Sequence, residues 1–166
     1  ADQQLHIPQT ALQSYNELAW FDGTSASDAY VNLDSLIDTA TNNWSLSFWL
    51  FHTDASANYE FVIGGSANSN IALENNTTRR LYYREVSGGA YHAISDAAIP
   101  ENEWVHIVIA ATADSSMTAY VNGVAQVANS SMSATKLLMD QFMNGYHLNN
   151  FPTLGTINEI SYYSDG

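Results

Sequence analysis

Apolar and polar residues alternate with a period of two along much of this chain. The clearest stretch is Trp44-Ser-Leu-Ser-Phe-Trp-Leu-Phe51. In an extended backbone Trp44, Leu46, Phe48 and Leu50 share one face, and Ser45, Ser47, Trp49 and Phe51 share the other. Trp104-Val-His-Ile-Val-Ile-Ala-Ala-Thr112 repeats the pattern, with Val105, Ile107 and Ile109 opposed to His106, Val108 and Ala110. A half- to mostly buried strand follows from it. After a short polar turn, Met117–Val124 contains Asn122-Gly123, the dipeptide that best tolerates the positive φ angles of a two-residue type I′ hairpin. Further strands are expected at Leu18–Phe21, Ala29–Leu33, Tyr59–Gly64, Asn70–Glu74, Arg79–Val86, Tyr91–Ile94, Lys136–Asp140 and Gly155–Tyr163.

Turn dipeptides punctuate these segments: Asp22-Gly23, Gly64-Gly65, Gly88-Gly89, Asn122-Gly123 and Asn144-Gly145. No segment sustains a 3.6-residue period over three turns, and no internal repeat or interdomain linker stands out. Many short strands with this punctuation predict an all-β chain, a two-sheet antiparallel sandwich or jelly roll. Residues 1–17 lack a firm period and are expected to form an N-terminal arm or edge strand, with one domain over residues 18–166.

Length and composition agree. A chain of 166 residues, 46% hydrophobic, buries roughly 70% of its unfolded surface as one domain. It has no cysteine, which removes disulfides, thiolate metal sites and cysteine nucleophiles together. No apolar run approaches the ~20 residues of a spanning helix, so membrane insertion is not expected. Seventeen acidic residues against four basic ones give a net charge of −13. Such a surface repels nucleic acid and anionic membrane, and neither is expected as a partner. The start, Ala1-Asp2-Gln3-Gln4, carries no signal-peptide features. It reads as a Met-trimmed cytoplasmic start or as a product whose leader is gone.

Several blocks, in order, resemble laminin-G-like, concanavalin A-like jelly rolls. They are Phe21-Asp-Gly23 with Tyr30-Val-Asn-Leu33, Leu46-Ser-Phe-Trp-Leu50, Glu103-Trp-Val-His106, Ala119-Tyr-Val-Asn-Gly123 and Gly155-Thr-Ile-Asn-Glu-Ile160. The resemblance implies the jelly-roll form of the sandwich. It does not carry function, because this fold hosts lectins, enzymes and structural modules alike.

Glycoside hydrolysis on such a fold needs two carboxylates at a fixed spacing. The nearest candidates, Glu101 and Glu103, follow Pro100 at the start of a strand, where exposed acids are ordinary. No catalytic residue is assigned and no enzymatic activity is expected. By resemblance, a structural Ca²⁺ held by Asp22 and Glu159 is expected, because the terminal strands of these folds pair. The five histidines lack the i, i+2 or i+4 spacing of a zinc site, and His106 reads as a satisfied structural residue.

Three of the four cations lie in Arg79-Arg-Leu-Tyr-Tyr-Arg84. In a strand Arg80, Tyr82 and Arg84 share a face, offering forked donors to a carboxylate or sulfate and a ring for sugar stacking. The same residues suit a protein contact, or an intramolecular role neutralising Glu74 or Glu85. A second candidate surface is the loop Asp140–Pro152, with Tyr146, His147 and Asn149 as ligand-binding residues. Trp49, opposite in parity to Leu46, Phe48 and Leu50, is a candidate aromatic platform on an outer sheet face. The Trp104–Val124 hairpin reads as framework, with function expected away from it. Two functions fit these features. One is a non-catalytic binding or adhesion module recognising a glycan or another surface ligand outside the cell. The alternative is a structural virion protein, a capsid decoration or fibre component, in a larger viral or cell-surface assembly.

Overall fold

The structure is a computed structural model that describes residues 21–22, 31–38, 43–53, 59–64, 70–74, 78–84, 90–112, 116–126, 138–142 and 154–165. Every regular element among them is a strand: β1 (Phe21–Asp22), β2 (Val31–Asp38), β3 (Trp44–His52), β4 (Tyr59–Gly64), β5 (Asn70–Glu74), β6 (Leu81–Arg84), β7 (Tyr91–Ala93), β8 (Trp104–Thr112), β9 (Ser116–Val121), β10 (Val124–Ala125), β11 (Leu138–Phe142) and β12 (Leu154–Ser164). They form two antiparallel six-stranded sheets, ordered β1-β12-β3-β8-β9-β10 and β2-β11-β4-β5-β6-β7. The chain changes sheets repeatedly, and its terminal strands β1 and β12 pair, as in a jelly roll.

The alternation in the sequence becomes the burial of the strands. β3 is buried at Trp44, Leu46, Phe48, Leu50 and His52, and only half-buried at the positions between. β8 buries Val105, Ile107, Ile109 and Ala111 in the same way. From the opposing sheet, Ile63, Ile71, Leu73, Leu81, Tyr83 and Met139 complete a single core. Each fully buried Leu, Ile or Phe side chain contributes about 1.5–3 kcal/mol relative to exposure.

The Asn122-Gly123 turn forms as expected. Both residues have positive φ, 49° and 78°, and Val121 pairs with Val124 across them. Polar side chains then tie the layers together. Gln126 Oε1 accepts from the backbone N–H of Asp96 and Ala97, and Ser95 Oγ accepts from Leu81 N–H at 2.9 Å. These bonds fasten the β7–β8 connection to both sheets.

Strand limits differ from the sequence reading where backbone conformation intervenes. The strand expected from Arg79 begins at Leu81, because Arg79 has φ 48° and cannot extend the ladder. β11 lies two residues beyond Lys136–Asp140, with its pairing to β2 shifting between Met139 and Gln141. β2 continues to Asp38, past the expected Leu33. The expected arm at residues 1–17 lies outside the described residues.

Gly155 sits where β12 is hydrogen-bonded on both sides, opposite Phe21 and His52. Its φ is 153°, and a Cβ there would lie 2.0 Å from the Phe51 carbonyl oxygen. A backbone atom cannot yield cheaply. Gly155→Ala is therefore expected to lower stability by about 3 kcal/mol or more, read as a fall in the urea midpoint. An unchanged midpoint would show that the strands part there without cost.

His52, across from Gly155, is 2% exposed, and neither ring nitrogen has a hydrogen-bond partner. Burial lowers its pKa below the ordinary 6.5; nearby backbone groups of Ile99 and Pro100 pull the other way without prevailing. As pH falls below 6.5, the unfolded chain takes the proton first, so stability declines until the lowered folded pKa is reached. Urea unfolding at about pH 7.5 and about pH 5.5 is expected to show this loss, and His52→Leu to reduce it. Equal losses in both proteins would remove His52 as the cause.

Candidate functional site

Residues directly opposite one another in a sheet share a face. Leu50, Val105 and Ile157 align toward the core, so the neighbouring rows must face outward. Those rows are Asn158–Trp49–His106 and Thr156–Phe51–Trp104. Together they place four rings in a two-by-two block across β3 and β8. Trp49 and His106 have ring centroids 4.9 Å apart, and Phe51 and Trp104 5.7 Å. Such tilted pairs add about 0.5–1.5 kcal/mol beyond burial.

His106 is fixed within this block. Its Nε2 lies 2.9 Å from Ser47 Oγ, its backbone N–H donates to Asn122 Oδ1, and its carbonyl accepts from Asn122 N–H. The turn thereby holds the strand that presents the rings.

An open hollow of about 370 Å³ lies beside the block, lined by Trp49, Trp104, Asn158 and Glu159. Trp104 keeps 38% of its surface exposed, although tryptophan is usually well buried. The acidic rim comes from an irregularity in β12. Asn158 pairs with Trp49 and Ser161 with Ser47, so Glu159 and Ile160 together oppose Phe48. This extra residue is a β-bulge, and it turns both side chains into solvent. Glu159 takes φ 49°, a conformation that costs a residue other than glycine about 1–2 kcal/mol. Asn158 Oδ1 accepts the Glu159 N–H at 2.9 Å and braces the kink.

The arrangement can stack a flat apolar ring on indole and direct hydrogen bonds to its edge. Glu159 is the one carboxylate among the described residues lining the hollow.

Of the described residues singled out from the sequence, Trp49 and Glu159 line the hollow, and Arg80, Tyr82 and Arg84 do not. Tyr82 and Arg84 do share a face of β6, and Arg80, just before the strand, is half-buried like them. Arg84 is turned onto the neighbouring strand: its Nη1 donates to Tyr91 Oη at 3.3 Å, and its guanidinium stands 5.0 Å from the Tyr91 ring centre. Tyr82 meets the same ring edge-on at 6.5 Å. A guanidinium and rings offered to a ligand by the sequence are here packed on each other. Arg79 forms an ion pair with Glu101.

The terminal strands pair, but their register sets Asp22 opposite Leu154, five residues along β12 from Glu159. That is about 17 Å of strand. Among the described residues no group of three or more His, Asp or Glu gathers to hold a metal. Tyr146, His147 and Asn149 lie outside the described residues. Trp104 and Asn158 were not among the sequence candidates. Parity along the Trp104–Thr112 segment was the available signal for Trp104, since it puts Trp104 with His106 on the outer face.

Among solved structures, carbohydrate-binding module CBM66 from Bacillus subtilis is similar, with TM-score 0.57, 8% identity, 88% of this chain covered and 94% of that one. Domain 4 of AbnA, a GH43 extracellular arabinanase from Geobacillus stearothermophilus determined with arabinotriose, has TM-score 0.57 and 15% identity, covering 89% and 80%. A heptameric SAP-like pentraxin from Limulus polyphemus has TM-score 0.57 and 11% identity, covering 86% and 73%. At these identities the likeness is one of fold. A search of curated protein sequences gives no match. The sequence model described as the concanavalin A-like lectin/glucanases superfamily matches residues 22–165, and the chain belongs to that superfamily.

Proposed function

We propose that this protein is a non-catalytic carbohydrate-binding module, and that its glycan site is the outer face of the β12–β3–β8 sheet. The observation that carries this reading is the hollow lined by two indoles together with Asn158 and Glu159. Sugar rings have an apolar face and a polar rim. A half-exposed tryptophan beside an amide and a carboxylate matches both parts of that chemistry. The similar folds support the reading, because they include a carbohydrate-binding module and an arabinanase domain determined with a bound oligosaccharide. Its place of action is a surface outside the cell, where polysaccharide is found.

Affinity electrophoresis against soluble polysaccharides, followed by calorimetry on those that retard the protein, tests the proposal. Trp104→Ala is expected to weaken binding roughly tenfold or more. Loss of the Phe51 contact is expected to lower the thermal midpoint by about 1–6 °C while the protein stays folded. Incubation with the bound polysaccharide should release no reducing sugar. Unchanged affinity in the variant would move the site elsewhere, and sugar release would make the protein an enzyme.

A further inference from the structure

Glu159 is the only ionisable side chain among the described residues lining the hollow, and it is negative. It stands on a backbone conformation that glycine would adopt at lower cost, at a bulge that presents it to solvent. The aromatic faces beside it carry negative potential and attract cations. The surrounding field has the same sign, since the chain carries 17 acidic residues against 4 basic ones. Two of those cations are already engaged, Arg79 with Glu101 and Arg84 with Tyr91. Asn158 Oδ1 accepts the Glu159 N–H, and its side-chain N–H₂ is a donor of the kind that suits a hydroxyl.

Resting on the carbohydrate reading above, we propose that the preferred ligand is a cationic glycan, an oligosaccharide of hexosamine units with free amino groups. One sugar ring stacks on Trp104 or Trp49, and its ammonium group faces the Glu159 carboxylate. Anionic glycans bearing uronate or sulfate are disfavoured twice, by Glu159 and by the overall charge. A neutral N-acetylated chain keeps the stacking and loses the charge contact.

Calorimetry on the full chain at mildly acidic pH, where the sugar amine is protonated, tests this with four probes. They are a chitosan oligosaccharide, a chitin oligosaccharide of the same length, an oligogalacturonate and choline. The deacetylated oligosaccharide is expected to bind about fivefold tighter than its acetylated counterpart, with the difference shrinking at high salt. Glu159→Gln keeps the shape and should remove that difference, whereas Trp104→Ala should weaken both ligands. Equal or tighter binding of the acetylated chain, or a preference unchanged in Glu159→Gln, overturns the cationic assignment and leaves the carbohydrate reading standing. Oligogalacturonate binding as tightly as chitosan does the same. Choline alone binding as tightly as the oligosaccharide would show that the hollow reads an ammonium group without a sugar. If neither chitin nor chitosan binds and no other polysaccharide does, both proposals fall together.

Discussion

Cross-strand register between β12, β3 and β8 is the constraint on which the rest depends. Opposed side chains share a face and successive ones alternate, so the register that sends Leu50, Val105 and Ile157 into the core leaves no choice for the neighbouring row. Asn158, Trp49 and His106 must meet outside. The hollow is thus a consequence of core packing. A slip of one residue would expose the leucines and bury the histidine and asparagine, so burial of the inner face also fixes the outer one.

Two local departures from regular strand geometry shape what that register presents. At Gly155 the backbone approaches the Phe51 carbonyl too closely for any side chain, which holds β12 tightly against β3 at the end of the aromatic block. At Glu159 and Ile160 the bulge inserts one residue and restores the alternation, so that Tyr162 comes opposite Leu46 and packs on the core. Without the extra residue the last part of β12 would show its polar side to the interior. The bulge therefore serves the core, and its cost falls on a charged residue beside the indoles.

Charge is arranged with the same economy. In a chain of net −13, cations near acids or rings find partners at short range: Arg79 pairs with Glu101, and Arg84 lies over Tyr91. The Arg–Tyr–Arg face looked like a recognition surface because sequence parity reports which side chains share a face. It does not report that the next strand supplies Tyr91, which Tyr82 and Arg84 contact. Glu101, a candidate for paired-acid chemistry by its spacing from Glu103, is engaged by Arg79, which precedes β6.

The sequence by itself determined the fold class and nearly every strand, because period-two alternation and turn residues such as Asn122-Gly123 are local properties written in consecutive positions. It also determined the parity of Trp49, and hence the face on which an aromatic platform would lie. Only the tertiary structure decided which residues join that platform. Trp104 is 55 positions from Trp49 and 54 from the adjacent pair Asn158 and Glu159, and strand order and register, set by the fit of two sheets around one core, bring them together. Backbone conformation at Arg79, Gly155 and Glu159 was equally beyond the sequence, since no local pattern of residues specifies it.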